Sequence, residues 1–357
     1  MLRIFYKFAI VPKILFNIRS VCMKMTKNTE QIRTGKIACT NKELGLAITL
    51  NGGQSFRWLA HKGGEEFRGV FAGHVWTLSQ DENYITYTVH GPVKEDINYE
   101  TILWEYFRLE FSLEENLIKW SASDKNFKKS CKTVEGVRIL KQDPVENIFC
   151  FICSSNNNII RISSMVEKLC RFFGKKLCEV DGKEYYDFPT IESLTNEKVE
   201  LTLRKENFGY RAAYIANTAK RLMEVGGRKW LMQLCKANNI SYTDAREQLL
   251  SLPGVGPKVA DCVCLMSLGH LEAIPVDTHI FQVAQANYLP HLGKQKTVTP
   301  KIHKEVSDHL RQLWGPLAGW AQAVVFCAKI NSESRTLTGH KRGNSETNSV
   351  KRKSKQK

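Results

Sequence analysis

The amino-acid sequence predicts an α+β fold in which a small antiparallel-sheet domain precedes a larger, mainly α-helical domain. From about residue 41 to residue 90, apolar and polar side chains alternate as they do in β-strands. From about residue 100, apolar residues recur instead at the spacing of helices. A hydrophobic share of 43% in 357 residues is enough for one large or two ordinary cores.

The strand pattern is clearest after the turn signal at Asp81-Glu82-Asn83. One face of the predicted strand holds Ile85, Tyr87 and Val89, and the other holds Tyr84, Thr86 and Thr88. Such alternation is typical of an antiparallel sheet with one buried face.

Two amphipathic helices stand out in the second half of the chain. One contains Ile162, Met165, Val166 and Leu169 and would end at Gly174; the other contains Ile302, Val306, Leu310 and Leu313 and would end near Gly315. The patterns divide the chain into a basic extension at 1–40, an α+β domain at 41–140, a helical domain at 141–330 and a disordered basic tail at 331–357.

Much of the net charge of +16 lies at the two ends of the chain, so the central region is only mildly basic. Residues 1–29 carry six Lys or Arg and no acidic residue, as in a mitochondrial transit peptide. These charges interrupt the apolar segment too often for a membrane span. The Lys351-Arg352-Lys353-Ser354-Lys355 run is typical of a nuclear-import signal or a DNA-contacting arm. We expect a nuclear and also mitochondrial protein; the alternative for both ends is a solvated extension without function.

Eleven irregularly spaced cysteines indicate reduced thiols in an intracellular compartment rather than a disulfide framework. Cys150 and Cys153 form a C-x-x-C pair, but the pair lies within an apolar run. Buried packing is therefore favoured over metal binding, since free cysteine prefers protein cores.

The segment from Leu249 to Cys262 predicts a helix-hairpin-helix motif at about 243–268. A helical run from about Thr243 would end at Pro253, Gly254 and Gly256 would turn the chain, and Pro257 would start the next helix. Without side chains in the way, the backbone N–H groups of such a turn can approach a DNA phosphate. The alternative is an ordinary turn between two helices.

Lys258 begins the second helix of this hairpin, where the positive end of the helix disfavours an ammonium and favours an amine nucleophile. A lone lysine is more often a phosphate contact. Asp277, however, follows an apolar run and a proline near another helix start. Its carboxylate would either cap that helix or face a positively charged sugar.

Together these motifs resemble the helix-hairpin-helix DNA glycosylases, and within them the eukaryotic-type 8-oxoguanine DNA glycosylases. The resemblance covers about residues 41–330 in the family's order. The matching stretches, besides those around Lys258 and Asp277, are NGGQSFRW at 51–58, FICSSNNNI at 151–159, GYRA at 209–212 and WGPLAGWAQA at 314–323.

The resemblance implies roles for residues that would hold the duplex once the damaged base is flipped out. Tyr210 resembles the family's wedge beside the vacated position. Asn156, Arg161 and Arg211 resemble the readers of the orphaned cytosine, whose acceptors suit guanidinium donors. The alternatives are helix capping for Asn156 and phosphate contacts for the two arginines.

For the flipped base, the resemblance implies stacking between Cys262 and Phe326, recognition of the Watson–Crick edge by Gln322, and recognition of the N7 hydrogen by the Gly53 carbonyl. His279 resembles a phosphate contact, with capping or packing as its alternative. The carbonyls of Leu250, Leu252 and Val255 resemble a site for a monovalent cation. By composition alone, Phe326 would be a core residue and Gln322 a helix-surface residue.

The implied activity is that of a bifunctional glycosylase/lyase that excises 8-oxoguanine and related oxidised purines opposite cytosine, through a Schiff base and β-elimination. It would act as a monomer on damaged double-stranded DNA. Lys258 would attack the sugar and Asp277 would stabilise its positive charge, a chemistry that requires neither a cofactor nor a catalytic metal.

Because only Cys327 follows Cys264, the iron–sulfur cluster of related branches cannot form there. Ile280-Phe281 replaces a bulkier pair in vertebrate members. The rival functions are an inert damage-binding module and a glycosylase for thymine glycol, alkylated bases or mismatched adenine.

Overall fold

The computed structural model describes residues 32–333 and has the predicted α+β architecture. The predicted transit segment at 1–29 and almost all of the basic tail lie outside the described residues. An antiparallel sheet has the strand order β1-β5-β4-β3-β2, and a separate hairpin pairs β6 with β7. The strands are β1 (Arg33–Ala38), β2 (Trp58–His61), β3 (Glu66–Phe71), β4 (His74–Gln80), β5 (Tyr84–His90), β6 (Lys176–Val180) and β7 (Lys183–Tyr186).

Strand β5 confirms the alternation predicted for residues 84–89. Ile85 and Val89 are fully buried and Tyr87 is 6% exposed, whereas Tyr84 is 45% exposed. Ile85 lies opposite Ile37 of β1, and Val89 lies opposite Trp76 of β4. These apolar pairs place the core on one face of the sheet.

The N-terminal boundary and the local structure near it differ from the prediction. Strand β1 begins at Arg33 and pairs with β5, so the sheet starts before residue 41. The region assigned to strands also contains a helix, α1 (Leu46–Leu50). Its buried residues Leu46, Thr49 and Leu50 follow the helical i, i+3, i+4 spacing, which is too short a signal to separate from strand alternation.

Helices dominate the chain after residue 98. They are α2 (Tyr99–Tyr106), α3 (Leu113–Ser123), α4 (Lys125–Cys131), α5 (Pro144–Cys153), α6 (Ile159–Phe173), α7 (Lys198–Lys205), α8 (Arg211–Val225), α9 (Gly227–Gln233), α10 (Tyr242–Leu250), α11 (Pro257–Met266), α12 (Thr278–Asn287), α13 (Pro300–Trp314) and α14 (318–333).

The two amphipathic helices predicted from periodicity are confirmed. Gly174 caps α6, and Gly315 caps α13 with a φ of +74°. Helix α14 continues to residue 333, three residues into the segment predicted to be a disordered tail. Strands β6 and β7 were not predicted, although the turn between them, Asp181-Gly182, is a hairpin signal with both residues at positive φ.

Buried Arg138 ties the sheet domain to the helices that line the site. Its guanidinium donates to the Glu43 carboxylate over 2.9 Å and to the Phe107 carbonyl over 2.7 Å, and it lies 5.0 Å from the ring centroid of Trp320 in α14. A fully buried cation with this many acceptors is strongly held in place. The turn before α1, the end of α2 and helix α14 are therefore fixed relative to one another.

Cys150 and Cys153 are both buried in α5, as predicted for packing cysteines. Between residues 32 and 333, no cluster of three His, Cys, Asp or Glu side chains has the arrangement of a metal site. No helix within that range is both long and apolar enough to cross a bilayer.

Candidate active site

The predicted helix-hairpin-helix is present, with α10 and α11 as its two helices. Helix α10 ends at Leu250 rather than Pro253, and Pro257 occupies the first turn of α11 as predicted. Gly254 has a φ of +74°, and a Cβ there would lie 2.7 Å from Tyr214. A Cβ at Gly256 would meet no atom of the described structure within 4 Å. Gly254 thus packs inward, while Gly256 leaves the backbone open to a ligand.

One cavity brings together six of the predicted site residues. They come from the loop before β2, from α11, from the segment before α12, and from α14. The six are Gly53, Lys258, Cys262, Asp277, Gln322 and Phe326, and the cavity is also lined by Phe151, Met266 and Pro275. The predicted nucleophile, its predicted carboxylate partner and the predicted base contacts therefore share one space.

Lys258 is half-buried at the start of α11, and its amine has two defined neighbours. Nζ donates to the Ser154 hydroxyl over 3.1 Å and lies 4.5 Å from the centroid of the Phe151 ring. The Ser154 hydroxyl donates in turn to the Phe151 carbonyl over 2.7 Å. The amine is thus held against the end of α5 at the wall of the cavity.

Asp277 caps a helix, which is one of the two alternatives left open by the sequence. It is the N-cap of α12, and its Oδ1 accepts a 2.9 Å hydrogen bond from the Ile280 N–H. It also lines the cavity that contains Lys258. Because the cap engages Oδ1, the carboxylate is rigidly placed while Oδ2 can face the cavity.

Gly53 lies in a loop that its neighbour Gln54 holds firmly. The Gln54 side chain donates to the Arg138 carbonyl over 2.7 Å and accepts from the Leu140 N–H over 3.0 Å. Gly53 has a φ of +73°, and a Cβ there would lie 3.7 Å from the Phe326 ring. The backbone conformation, rather than crowding, therefore calls for glycine at this position.

Cys262 and Gln322 form buried parts of the cavity wall. Burial raises the pKa of the Cys262 thiol to about 12, with Lys258 opposing the shift. Cys262 is therefore a neutral thiol at physiological pH, suited to packing against an apolar ring. Gln322 is 6% exposed and lies on the same helix as Phe326, one turn away.

A second group of predicted residues meets at the loop between α5 and α6. Tyr210 is 49% exposed, and its hydroxyl donates to the Ser155 carbonyl over 3.1 Å. Arg211 is only 3% exposed; its Nε donates to the same carbonyl over 3.2 Å, and its Nη2 donates to the Asn156 carbonyl over 3.1 Å. Exposed Asn156 has a φ of +46°.

Two other predicted DNA contacts lie around this loop and the cavity. Exposed Arg161, in the first turn of α6, donates to the Asn207 carbonyl over 3.2 Å. His279 lies 5.9 Å from the Phe326 ring and 3.4 Å from the Glu333 carboxylate.

At the hairpin, the Leu252 carbonyl accepts from the Val255 N–H over 3.1 Å, which leaves a second lone pair for the predicted cation.

Sequence reasoning missed Ser154 and Phe151 as neighbours of Lys258, and Met266 as part of the cavity wall. Ser154 and Phe151 belong to the FICSSNNNI stretch, so membership of that motif was an available signal. Met266 is eight residues after Lys258 on the same helix, and its place in the cavity follows from helical spacing. No sequence signal showed that the end of α5 meets the start of α11.

Two family models together match residues 36–314 of this chain. The family model described as the N-terminal domain of 8-oxoguanine DNA glycosylase matches residues 36–148, and the one described as HhH-GPD superfamily base excision DNA repair protein matches residues 149–314. The chain is 38% identical to the N-glycosylase/DNA lyase of Saccharomyces cerevisiae over 85% of its own length and 88% of the yeast protein. It is also 38% identical to an N-glycosylase/DNA lyase of Arabidopsis thaliana, over 84% of this chain and 80% of the plant protein.

Two solved structures resemble this chain over most of their length. MBOgg1 in complex with a low affinity DNA ligand gives a TM-score of 0.72 at 29% identity and covers 85% of this chain and 99% of its own. The second structure is the Clostridium acetobutylicum 8-oxoguanine glycosylase/lyase in complex with double-stranded DNA containing cytosine opposite 8-oxoguanine. It gives a TM-score of 0.72 at 28% identity and covers 86% of this chain and 99% of its own.

Proposed function

Because the chain belongs to the 8-oxoguanine DNA glycosylase family, we propose that it excises 8-oxoguanine opposite cytosine through a Schiff base on Lys258. As a member of that family it is a DNA N-glycosylase with DNA lyase activity. The observation that carries the finer proposal is the shared cavity, in which Lys258 and Asp277 lie with the residues that would hold the base.

The proposed reaction begins with Lys258 attacking C1′ of the flipped nucleotide as a neutral amine. A bond forms between Nζ and C1′, the glycosidic bond breaks, and its electron pair leaves with the base. Loss of a proton from the amine and opening of the C1′–O4′ bond then produce the Schiff base. Removal of a proton from C2′ expels the 3′ phosphate and nicks the strand.

Asp277 stabilises the positive charge that develops on the sugar in this scheme. Its capping bond to Ile280 fixes the carboxylate before substrate arrives. Preorganised groups of this kind lower the barrier because they need not be reoriented during the reaction. The Ser154 hydroxyl holds the Lys258 amine at the cavity wall in the same way.

The base pocket would recognise 8-oxoguanine with the groups predicted from the sequence. Neutral Cys262 and the Phe326 ring stack on the two faces of the base, and Gln322 binds its Watson–Crick edge. The Gly53 carbonyl accepts the N7 hydrogen, which 8-oxoguanine has and guanine lacks. With guanine, the two opposed acceptors would cost about 1–3 kcal/mol, or about 5- to 150-fold in affinity, so earlier steps of base flipping must add to the discrimination.

The loop between α5 and α6 would hold the vacated position and the orphaned cytosine. Exposed Tyr210 serves as the wedge, and Asn156, Arg161 and Arg211 bind cytosine. Because Arg211 donates to the carbonyls of Ser155 and Asn156, this loop must rearrange before the guanidinium reaches the base. The hairpin at Gly254 and Gly256, with His279, supplies contacts to the DNA backbone, and the carbonyls of Leu250, Leu252 and Val255 hold a monovalent cation there.

A panel of lesion duplexes tests the function. Duplexes with 8-oxoguanine opposite cytosine or adenine, thymine glycol, an alkylated base and mismatched adenine are compared in single-turnover excision, with borohydride added to trap a Schiff base. We expect the fastest excision and covalent trapping with 8-oxoguanine opposite cytosine. Preferential excision of another lesion would contradict the proposed substrate, and binding without excision would indicate an inert damage-binding module.

We further propose that the protein acts as a monomer in the nucleus and the mitochondrion. The targeting proposal depends only on the composition of the two chain ends.

A further inference from the structure

Directly behind the candidate active site lies a buried polar cluster with no part in the proposed reaction. Asp261, three residues after Lys258 in α11, is fully buried, and His303 of α13 is 2% exposed. His303 Nε2 lies 3.2 Å from Asp261 Oδ2 and 3.4 Å from the backbone nitrogen of Val276. Val276 immediately precedes Asp277, so the cluster contacts both segments that carry the reacting groups.

A single ring nitrogen cannot serve both of these neighbours in the same protonation state. The Val276 N–H is a donor and requires a bare Nε2, whereas an ionised Asp261 carboxylate is an acceptor and requires a protonated Nε2. Asp261 Oδ1 already accepts from the Tyr242 hydroxyl over 2.7 Å and from Arg246 Nε over 2.8 Å. Among residues 32–333, no hydrogen-bond donor is aligned with Asp261 Oδ2. An ionised Oδ2 therefore competes with Val276 for His303.

We propose that His303 is a positioning residue for Asp277, and that Asp261 competes with the Val276 N–H for the same ring nitrogen. The proposal rests on the proposed role of Asp277. With a neutral Asp261, Nε2 stays bare and accepts from Val276, which fixes the segment that ends in Asp277. When Asp261 ionises, a proton on Nε2 points to the carboxylate and the Val276 N–H loses its acceptor.

The charged groups around Asp261 and His303 set the pH range in which this competition occurs. Tyr242 and Arg246 of α10, Arg311 of α13, and Cys262 and Cys264 of α11 face Asp261. Burial raises the pKa of Asp261 to about 6, opposed by Arg246, and burial with Arg246 and Arg311 lowers the pKa of His303 to about 4. His303 therefore stays neutral while Asp261 titrates near pH 6. The charge of Asp261 determines whether His303 Nε2 accepts from the Val276 N–H or donates to the Asp261 carboxylate.

Two substitutions remove the competition in different ways. In Asp261→Asn the side chain is neutral at every pH, so it never requires a proton on Nε2. In His303→Gln the amide oxygen accepts from Val276 while its NH₂ group donates to Asp261, so both neighbours are served at once. In His303→Leu the side chain can hydrogen-bond to neither Val276 nor Asp261. His90→Gln, at a buried histidine of β5 in the sheet domain, is the matched control.

The experiment measures single-turnover excision of 8-oxoguanine from pH 5 to 8.5, with melting temperatures to confirm folding. We expect the ratio of wild-type to variant rate constants to fall about five- to tenfold as pH rises through 6, for both Asp261→Asn and His303→Gln, the factor being that of one hydrogen bond. His303→Leu should be slower at every pH, and His90→Gln should follow the wild type. Parallel pH profiles for wild type, Asp261→Asn and His303→Gln would overturn the proposal.

Hydrogen exchange at the Val276 amide gives a second readout that does not depend on activity. We expect its protection to decrease as pH rises through 6 in the wild type, after correction for intrinsic exchange, and to stay constant in His303→Gln. If the wild type excised no 8-oxoguanine, the proposed function would be wrong, while the exchange data would still decide whether Asp261 and Val276 compete. Protection that is independent of pH in the wild type would contradict the competition itself.

Discussion

The Lys258 amine lies 3.1 Å from the Ser154 hydroxyl, which joins the start of α11 to the end of α5. The bond orients the amine within the cavity that also contains Asp277. Since the two residues are separated by more than a hundred positions in the chain, the proposed nucleophile depends on packing between these helices.

Lys258→Gln should abolish excision and borohydride trapping while damaged-duplex binding stays close to wild type. The amide keeps most of the side-chain volume but cannot attack C1′. Lys62→Gln, at an exposed lysine in the sheet domain, is the control and should be fully active. Wild-type activity without any trapped intermediate would remove Lys258 from the role of nucleophile.

Gly53→Ala should reduce excision of 8-oxoguanine at least tenfold and leave affinity for undamaged duplex unchanged. A φ of +73° strains alanine by about 1–2 kcal/mol, and relief of that strain would move the carbonyl away from the N7 hydrogen. Gly63→Ala has the same kind of strain at φ +71° with no neighbour within 4 Å in the described structure, and should excise normally. Equal rates for both variants and the wild type would make Gly53 a turn residue only.

The two hairpin glycines should respond differently to alanine. Gly254→Ala combines a φ of +74° with a clash against Tyr214, so the melting temperature should fall by several degrees. Gly256→Ala meets open space at an ordinary φ, so stability should be unchanged while affinity for duplex DNA falls because the new methyl keeps a phosphate at a distance. Thermal unfolding and binding isotherms check both. Unchanged affinity in Gly256→Ala would place the phosphate elsewhere.

Glu146→Gln should make stability less dependent on pH. Burial raises the pKa of Glu146 to about 7, opposed by Arg57 at 3.9 Å. Because the folded-state pKa exceeds the ordinary value, the folded state binds this proton more tightly, and the stability contributed is lost as pH rises from about 4.5 through 7. The melting temperature of the variant relative to wild type should therefore increase between pH 5 and 8. A constant difference would show that Glu146 has an ordinary pKa.

Removing residues 1–29 should exclude a tagged protein from mitochondria, since those residues carry the positive charges of the predicted transit peptide. Neutralising Lys351, Arg352, Lys353 and Lys355 should reduce nuclear import. Fluorescence imaging of both variants beside the wild type checks this. An unchanged distribution in each case would leave the two ends as solvated extensions.

Local features of the chain were predictable from sequence because their causes lie within a few residues. Pro257 starts α11, Gly315 ends α13, and the alternation at Tyr84–Val89 places one face of β5 in the core. Short elements were not predictable in this way. The five-residue helix α1 and the hairpin of β6 and β7 are too short for their periodicity to be separated from that of neighbouring segments.

The sequence by itself determined the proposed reacting groups, since Lys258 at a helix start and Asp277 before another are set by local motifs. Only the tertiary structure decided which residues surround them. Phe151 and Ser154 reach Lys258 from α5, and His303 reaches Val276 from α13. Contacts of this kind arise from packing between helices that are distant in the chain. Burial of apolar faces stabilises such packing as a whole, so no single residue in the sequence shows which partner it will contact.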